Sequence, residues 1–229
     1  MTALTHEAPE VTEVDETEET EEDPGSHGGP QAPPRAGLDE ALWQAWKTLE
    51  LPEGFHAEIV EGSIEVSPTG RHCHGQIVNR LRRALERFLD DGDHVAYQDM
   101  NVIHELTAYV PDLFVAPEDD TEHVTEDGLG LKASCVEMVV EVVSPGHRAI
   151  ERDRVHKRRA YARAGVPVYV LIDDHDGHGT VTVLTSPSPG EAVYAAETRV
   201  PYGTEVAIPD GAAKGFVIGE AITGPRRGA

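Results

Sequence analysis

Asp112, Glu141 and Lys157 are the residues whose types and settings could carry chemistry, and that chemistry is the metal-assisted hydrolysis of a phosphate ester. Glu141 interrupts the apolar run Met138-Val139-Val140 and Val142-Val143, which reads as a strand buried on both faces. An ionised carboxylate in such a run costs roughly several kcal/mol unless a partner compensates it, and a metal ion is a common partner. Asp112 is followed by Leu113-Phe114-Val115, so it too sits at or inside a sheet. Two such carboxylates can hold Mg²⁺, or Mn²⁺ in its place, through oxygen, keeping positions open for water and a phosphate oxygen. A lysine beside them can orient that water or neutralise charge developing on phosphorus. No Ser-His-Asp or Cys-His arrangement is evident.

The elements that must position these residues follow from the local pattern. Ser144-Pro145-Gly146 stops the Glu141 strand, and residues 149–164 read as a helix closed by Gly165. On a wheel centred on Ile150, Lys157 and Tyr161 each fall about 20 degrees from the centre, on opposite sides. Asp153 lies near the same stripe, while Arg148, Arg152, Arg159 and Arg163 fall on the far side. Lys157 is therefore the one basic residue at the middle of the inward face. Residues 168–172 form a returning strand, giving a strand, crossover helix, strand unit.

Upstream, residues 57–66 alternate around Glu61-Gly62 as a hairpin, with Glu58 in its first arm. Spacing alone would send that glutamate to solvent. Residues 74–89 are strongly amphipathic, with Ile77, Val78, Leu81, Leu85 and Phe88 in one stripe and four arginines outside it. His74, one turn earlier, could point toward the interior. Its default role is that of a hydrogen-bonded core histidine, with ligand or proton carrier as the rarer one. Residues 38–49 read as a helix with an aromatic side, and residues 94–104 and 109–115 as strands. Residues 180–184, 192–197 and 205–208 read as further strands. The polar segment 173–179 has enough Asp and His to bind a metal, but turn chemistry accounts for it.

The sequence has 229 residues, 39% of them apolar, enough for a real core. It contains neither a run of apolar residues long enough to span a membrane nor a secretory signal pattern, and its two cysteines, Cys73 and Cys135, form no framework. A reducing, cytoplasmic setting is expected. The net charge of −23 is uneven, since residues 1–36 carry ten Asp or Glu and only Arg35. Of the 19 Lys and Arg, five lie in residues 71–87 and seven in 148–163, which leaves room for a local phosphate-binding surface. Residues 1–37 lack the large apolar residues needed to fold and are expected to be a disordered acidic tail. The folded domain is expected over 38–218, with a loose C-terminal end over 219–229.

Pro111-Asp112, Glu141-Val142-Val143-Ser144-Pro145, Asp153, Lys157, Tyr161 and Ala164-Gly165-Val166-Pro167-Val168-Tyr169 together resemble the bacterial Uma-two family of putative restriction endonucleases, a branch of the PD-(D/E)XK nuclease superfamily. Glu58-Ile59-Val60-Glu61-Gly62 and the segment 68–74 extend the resemblance to roughly residues 40–217. The resemblance implies that Asp112 and Glu141 bind the metal, with the Val142 carbonyl as a further ligand. It also implies that Glu58 approaches the site from the hairpin and that His74 matches a recurrent family histidine. The superfamily lysine normally stands two residues after the glutamate, where this chain has Val143. The family resemblance instead implies a lysine moved to the helix, and Lys157 is where the wheel already places one.

The expected fold is α/β: a restriction-endonuclease-like core with a central mixed sheet flanked by helices, a β-hairpin before it and antiparallel strands after it. The expected activity is Mg²⁺-dependent hydrolysis of a DNA phosphodiester, and double-strand cleavage would suit a homodimer. Two rival functions remain open: a non-catalytic nucleic-acid-binding or regulatory protein, and a hydrolase of another phosphate ester. Structurally, Asp112 could end a turn and Glu141 could pair with Lys157 as a buried ion pair.

Overall fold

The apolar run around Glu141 forms the strand expected of it, β8 (Met138–Val142), with every residue buried. The computed structural model of the protein describes residues 35–68 and 70–226. The acidic segment expected to be disordered lies almost wholly outside these residues. The described chain begins with α1 (Arg35–Lys47), in which Trp43 stacks on Trp46 and the Trp46 indole donates to the Ala57 carbonyl at 2.8 Å. Next comes the hairpin β1 (Phe55–Val60) and β2 (Ser63–Pro68), turned by Glu61 and Gly62 at φ 46° and 76°. Two consecutive left-handed residues are what a two-residue type I′ turn requires.

After α2 (His72–Leu89), the stretch expected as one strand over 94–104 divides into β3 (His94–Tyr97) and β4 (Asn101–His104). Asp99, at φ 55°, turns the chain between them, and the two strands join different sheets. β5 (Thr107–Tyr109) pairs with β4, β6 (Leu113–Pro117) follows, and β7 (Gly130–Lys132) pairs with β4 in parallel. β9 (Val168–Asp173), β10 (Thr180–Ser188) and β11 (Val193–Pro201) follow the crossover helix.

The central sheet has the order β11-β10-β9-β8-β6-β3. Only β8 and β9 run parallel, as a crossover through a helix dictates. The sheet is therefore mixed, with an antiparallel extension through β10 and β11. One face packs on α2, whose Ile77, Val78, Leu81, Leu85 and Leu89 join Leu113, Val140 and Val170 in a cluster. Leu81 and Leu85 are fully buried, worth roughly 2 kcal/mol each in apolar area. Phe88, expected in that stripe, is 44% exposed, and Leu89 takes the inward position at the helix end. The other face packs on the crossover helix through Ala160, Tyr161 and Ala162, against Val139, Phe114 and Tyr169.

The crossover helix is not uniform. It comprises α3 (His147–Glu151), a π-helical turn over Arg152–Lys157, and α4 (Arg158–Arg163). Gly165, at φ 77°, ends it, and Val166 N–H donates back to the Tyr161 carbonyl at 3.1 Å. Of the two bonds that close a glycine-terminated helix end, that one spans more residues. At the C-terminus, β12 (Val206–Ala207) pairs with β13 (Val217–Ile218), and α5 (Glu220–Thr223) buries Ile222. The loose end expected from residue 219 thus begins with a packed turn of helix, because Ile222 joins the α2 cluster. No described helix is long and apolar enough to cross a membrane.

Candidate active site

Strand register brings the carboxylates together. Leu113 on β6 pairs with Val140 on β8, so Asp112 comes level with Glu141 on the neighbouring strand. Val142 N–H donates to Asp112 Oδ2 at 2.7 Å, and His74 Nε2, at the start of α2, lies 3.0 Å from the same oxygen. Gly70 is needed beside it, since a Cβ there would collide with the His74 ring.

Lys157 reaches the site from the π-helical turn. Its Nζ lies 2.8 Å from Glu58 Oε1 and 2.9 Å from Glu141 Oε1, with the Val110 carbonyl at 3.5 Å. Glu141 and the Val110 carbonyl accept hydrogen bonds from the ammonium, and Glu58 pairs with it by charge. Glu58 Oε1 also accepts Val110 N–H at 2.7 Å, and Glu141 Oε1 accepts the Tyr161 hydroxyl at 2.8 Å. Glu58, Glu141, Asp153 and Lys157 are all buried. Spacing alone misjudges Glu58, which points inward because its hairpin arm packs against β5, just before Val110.

The wheel misplaces Arg152. Residues five apart on an α-helix lie about 140 degrees apart. In the π-helical turn the bonding widens to i→i+5, which brings Arg152 round toward Lys157. Arg152 Nε donates to Asp153 Oδ1 at 2.9 Å and its Nη1 to the Ser67 hydroxyl at 2.6 Å. Arg148, Arg159 and Arg163 are exposed as expected.

Electrostatics follow from this crowding. Burial raises the Glu141 carboxyl to about 8, with the Lys157 charge opposing that rise. Burial likewise raises Asp153 against the pull of Lys157 and Arg152. Burial favours neutral Lys157, but the charges of Glu141, Glu58 and Asp153 outweigh it and hold the ammonium protonated. For His74, burial again opposes the charge, and the hydrogen bond and charge of Asp112 prevail to raise its pKa. His56 moves the other way, lowered mainly by burial. These groups line a cavity of about 250 Å³ whose rim includes Ser67, Arg71 and Pro145.

The sequence model of the Uma2 family, described as putative restriction endonuclease, matches residues 43–219. The chain belongs to the Uma2 family. Its fold is also that of a solved structure, the crystal structure of a putative nuclease belonging to DUF820 from Anabaena variabilis. The two superpose with a TM-score of 0.58 at 18% sequence identity, covering 82% of this chain and 96% of the other. No curated protein matches the sequence.

In this Uma2 chain Val143 lies in the apolar cluster around Val139 and Tyr161, so the usual lysine position faces the core. The cavity's donor set fits a hard divalent cation. Three carboxyl groups, those of Asp112, Glu141 and Asp153, line it, and behind Lys157 the buried Glu58 Oε2 has no hydrogen-bond partner among the described residues. The unpartnered oxygen and the all-oxygen donors suit Mg²⁺ or Mn²⁺, which bind through one or two carboxylates and keep several waters. Among the described residues no cluster of three or more His, Cys, Asp or Glu stands ready as a metal cage. Asp112 and Glu141 are the two that could hold the ion.

Arg152, Tyr161, Ser67 and His56 were not among the candidates read from sequence. Tyr161 shared the inward stripe with Lys157 and could have been found there. Arg152 could not, because nothing in the sequence signals the wide turn. The polar segment 173–179 is explained by structure: Asp173 pairs with Arg154 at 2.6 Å, and Asp176 accepts the Thr180 hydroxyl at 2.8 Å.

Proposed function

We propose that this Uma2 protein is a divalent-metal-dependent endonuclease that hydrolyses DNA phosphodiesters at the Asp112–Glu141 cavity. The observation that carries the reading is the ammonium of Lys157, held 2.9 Å from Glu141 and 2.8 Å from Glu58 while Val143 faces the core. A helix-borne lysine thereby reaches the place that a strand-borne one would otherwise serve.

Asp112 and Glu141 are the residues to hold Mg²⁺, which when bound supplies positive charge and Lewis acidity for attack of water on the phosphodiester. Val142 N–H and His74 fix the Asp112 carboxylate, so its free oxygen keeps one direction. Lys157, locked by its acceptors, places a permanent positive charge where the pentacovalent phosphorus gathers negative charge. Tyr161 anchors Glu141 from the core side. Arg71 and Arg152 at the rim provide charge for incoming phosphate. Cutting both strands of a duplex would suit a two-fold dimer with two such cavities.

A second reading has one observation in its favour: Lys157 already satisfies one oxygen each of Glu58 and Glu141, as a purely structural ion pair would. On that reading the protein binds nucleic acid or regulates without cleaving. The test is cleavage of supercoiled and linear DNA at low salt, with and without Mg²⁺ or Mn²⁺, by wild type, Asp112→Ala and Glu141→Ala. Metal-dependent nicking lost in both variants supports the endonuclease. Cleavage unaffected by either variant removes it, and DNA or metal binding without cleavage favours the second reading. Parallel assays on small phosphodiesters separate a nuclease from a hydrolase of other esters.

A further inference from the structure

Two cavities meet at Arg152. The smaller holds the carboxylates, and a larger one of about 750 Å³ runs between β2 and α3, sharing Ser67, Pro145, Ala149 and Arg152 with it. Resting on the nuclease reading above, we propose that this groove seats the DNA strand as it continues from the scissile phosphate, with Arg152 as the binding residue at the junction.

Size divides the work between the cavities. Pockets that enclose a whole small organic ligand span roughly 300–1,000 Å³. At about 250 Å³ the smaller cavity suits a phosphate group with its counter-ion, and the larger has room for the adjoining nucleotide. Arg152 is built for the junction. Its side chain is only 12% exposed and is fixed by Asp153 and Ser67. Two of its five N–H donors are thus used, and among the described residues its Nη2 makes no hydrogen bond. A planar guanidinium held in one orientation is a preorganised phosphate donor.

Beyond Arg152 the groove is lined by both apolar and charged side chains. Ile64 and Val66 on β2 give apolar surface on which a sugar and base can lie, while Arg148 and His156 on the crossover helix offer donors to phosphate oxygens. Glu65 and Glu151 also line it, so it is not simply cationic. A second phosphate backbone would meet those carboxylates, which suits the groove to a single strand.

Val66 provides the test, being 49% exposed on the groove wall and outside the core. Full-length wild type, Val66→Glu and Val66→Lys are compared for binding to a labelled DNA oligonucleotide in Ca²⁺ and for steady-state cleavage in Mg²⁺. Val66→Glu is expected to raise Kd and KM by about tenfold and Val66→Lys to lower them, with opposite changes in salt dependence. Arg152→Ala is expected to raise KM more than Arg152→Lys. Val193→Glu, an equally exposed change on β11 outside both cavities, should leave Kd and KM as they are. If wild type cleaves DNA while Kd and KM are the same for both Val66 variants, the strand does not use this groove and the nuclease reading stands. If wild type neither binds nor cleaves DNA, the nuclease reading fails and this inference fails with it.

Discussion

Lys157 and Glu141 sit 16 residues apart in sequence and 2.9 Å apart in space, joined across the gap between the crossover helix and β8. Neither is tolerable alone. Removing the lysine leaves Glu58 and Glu141 buried without their ion-pair partner, and removing the glutamate leaves the ammonium paired directly with Glu58 alone among the described residues.

Lys157→Met should therefore abolish cleavage and also cost about 3–5 kcal/mol of stability, the usual cost of breaking a buried pair from one side. The double variant Lys157→Met/Glu141→Gln should recover part of that stability and none of the activity. Urea unfolding of the three proteins checks this. A double variant no more stable than Lys157→Met would show that the two residues are not energetically coupled.

Moving the lysine back to the strand should fail. In Lys157→Ala/Val143→Lys the new ammonium would enter the apolar cluster of Val139 and Tyr161, at a cost of roughly several kcal/mol. No cleavage and a lowered Tm are expected. Restored cleavage would mean that the Val143 position can reach the carboxylates after all.

His74 acts through Asp112. His74→Ala removes the partner 3.0 Å from Asp112 Oδ2 and should weaken metal binding by about 10–100-fold, as loss of a ligand's supporting hydrogen bond does. The Mg²⁺ concentration giving half-maximal cleavage should rise accordingly, while the rate at saturating metal falls far less. An unchanged metal requirement would place the metal elsewhere than on Asp112.

Acid should stabilise the metal-free protein through its buried carboxyls. Burial raises Glu141 to about 8 and moves Asp153 in the same direction. The folded protein thus keeps protons that the unfolded chain releases near pH 4, a value of about 4.3 being ordinary for glutamate. Stability from these groups is full below that range and is lost as pH rises through about 8. Calorimetric Tm without metal should fall from about pH 5 to pH 8, and Mg²⁺ should raise Tm more at the upper end. A Mg²⁺ effect independent of pH would show that the ion does not displace protons from these carboxyls.

Much of this architecture is legible in the sequence, for local reasons. The run 138–143 is too apolar for anything but a buried strand, so the oddity of Glu141 is visible before any fold is known. The α2 stripe and the 168–172 return are equally local. Glu58 is not, because a hairpin arm shows only alternation, and its inward face is decided by β5 and the crossover helix, which are remote in sequence. The split at Asp99 escaped for a similar reason: a single left-handed aspartate diverts the chain without a glycine or proline to announce it. A wheel puts Arg152 on the wrong side because it assumes one pitch throughout.

That change of pitch gives the crossover helix two independent alignments. Downstream of Lys157, α4 is keyed to the sheet by Ala160, Tyr161 and Ala162, where nearly any enlargement would collide. Upstream of Arg152, no residue of α3 is buried; Ile150 rests on the edge of the core, and the other four residues border the larger cavity. The wide turn absorbs the mismatch between them. Residues 147–149 and 151 can accordingly drift in evolution, and with them the lining of the groove, while the half of the helix that secures the lysine stays fixed.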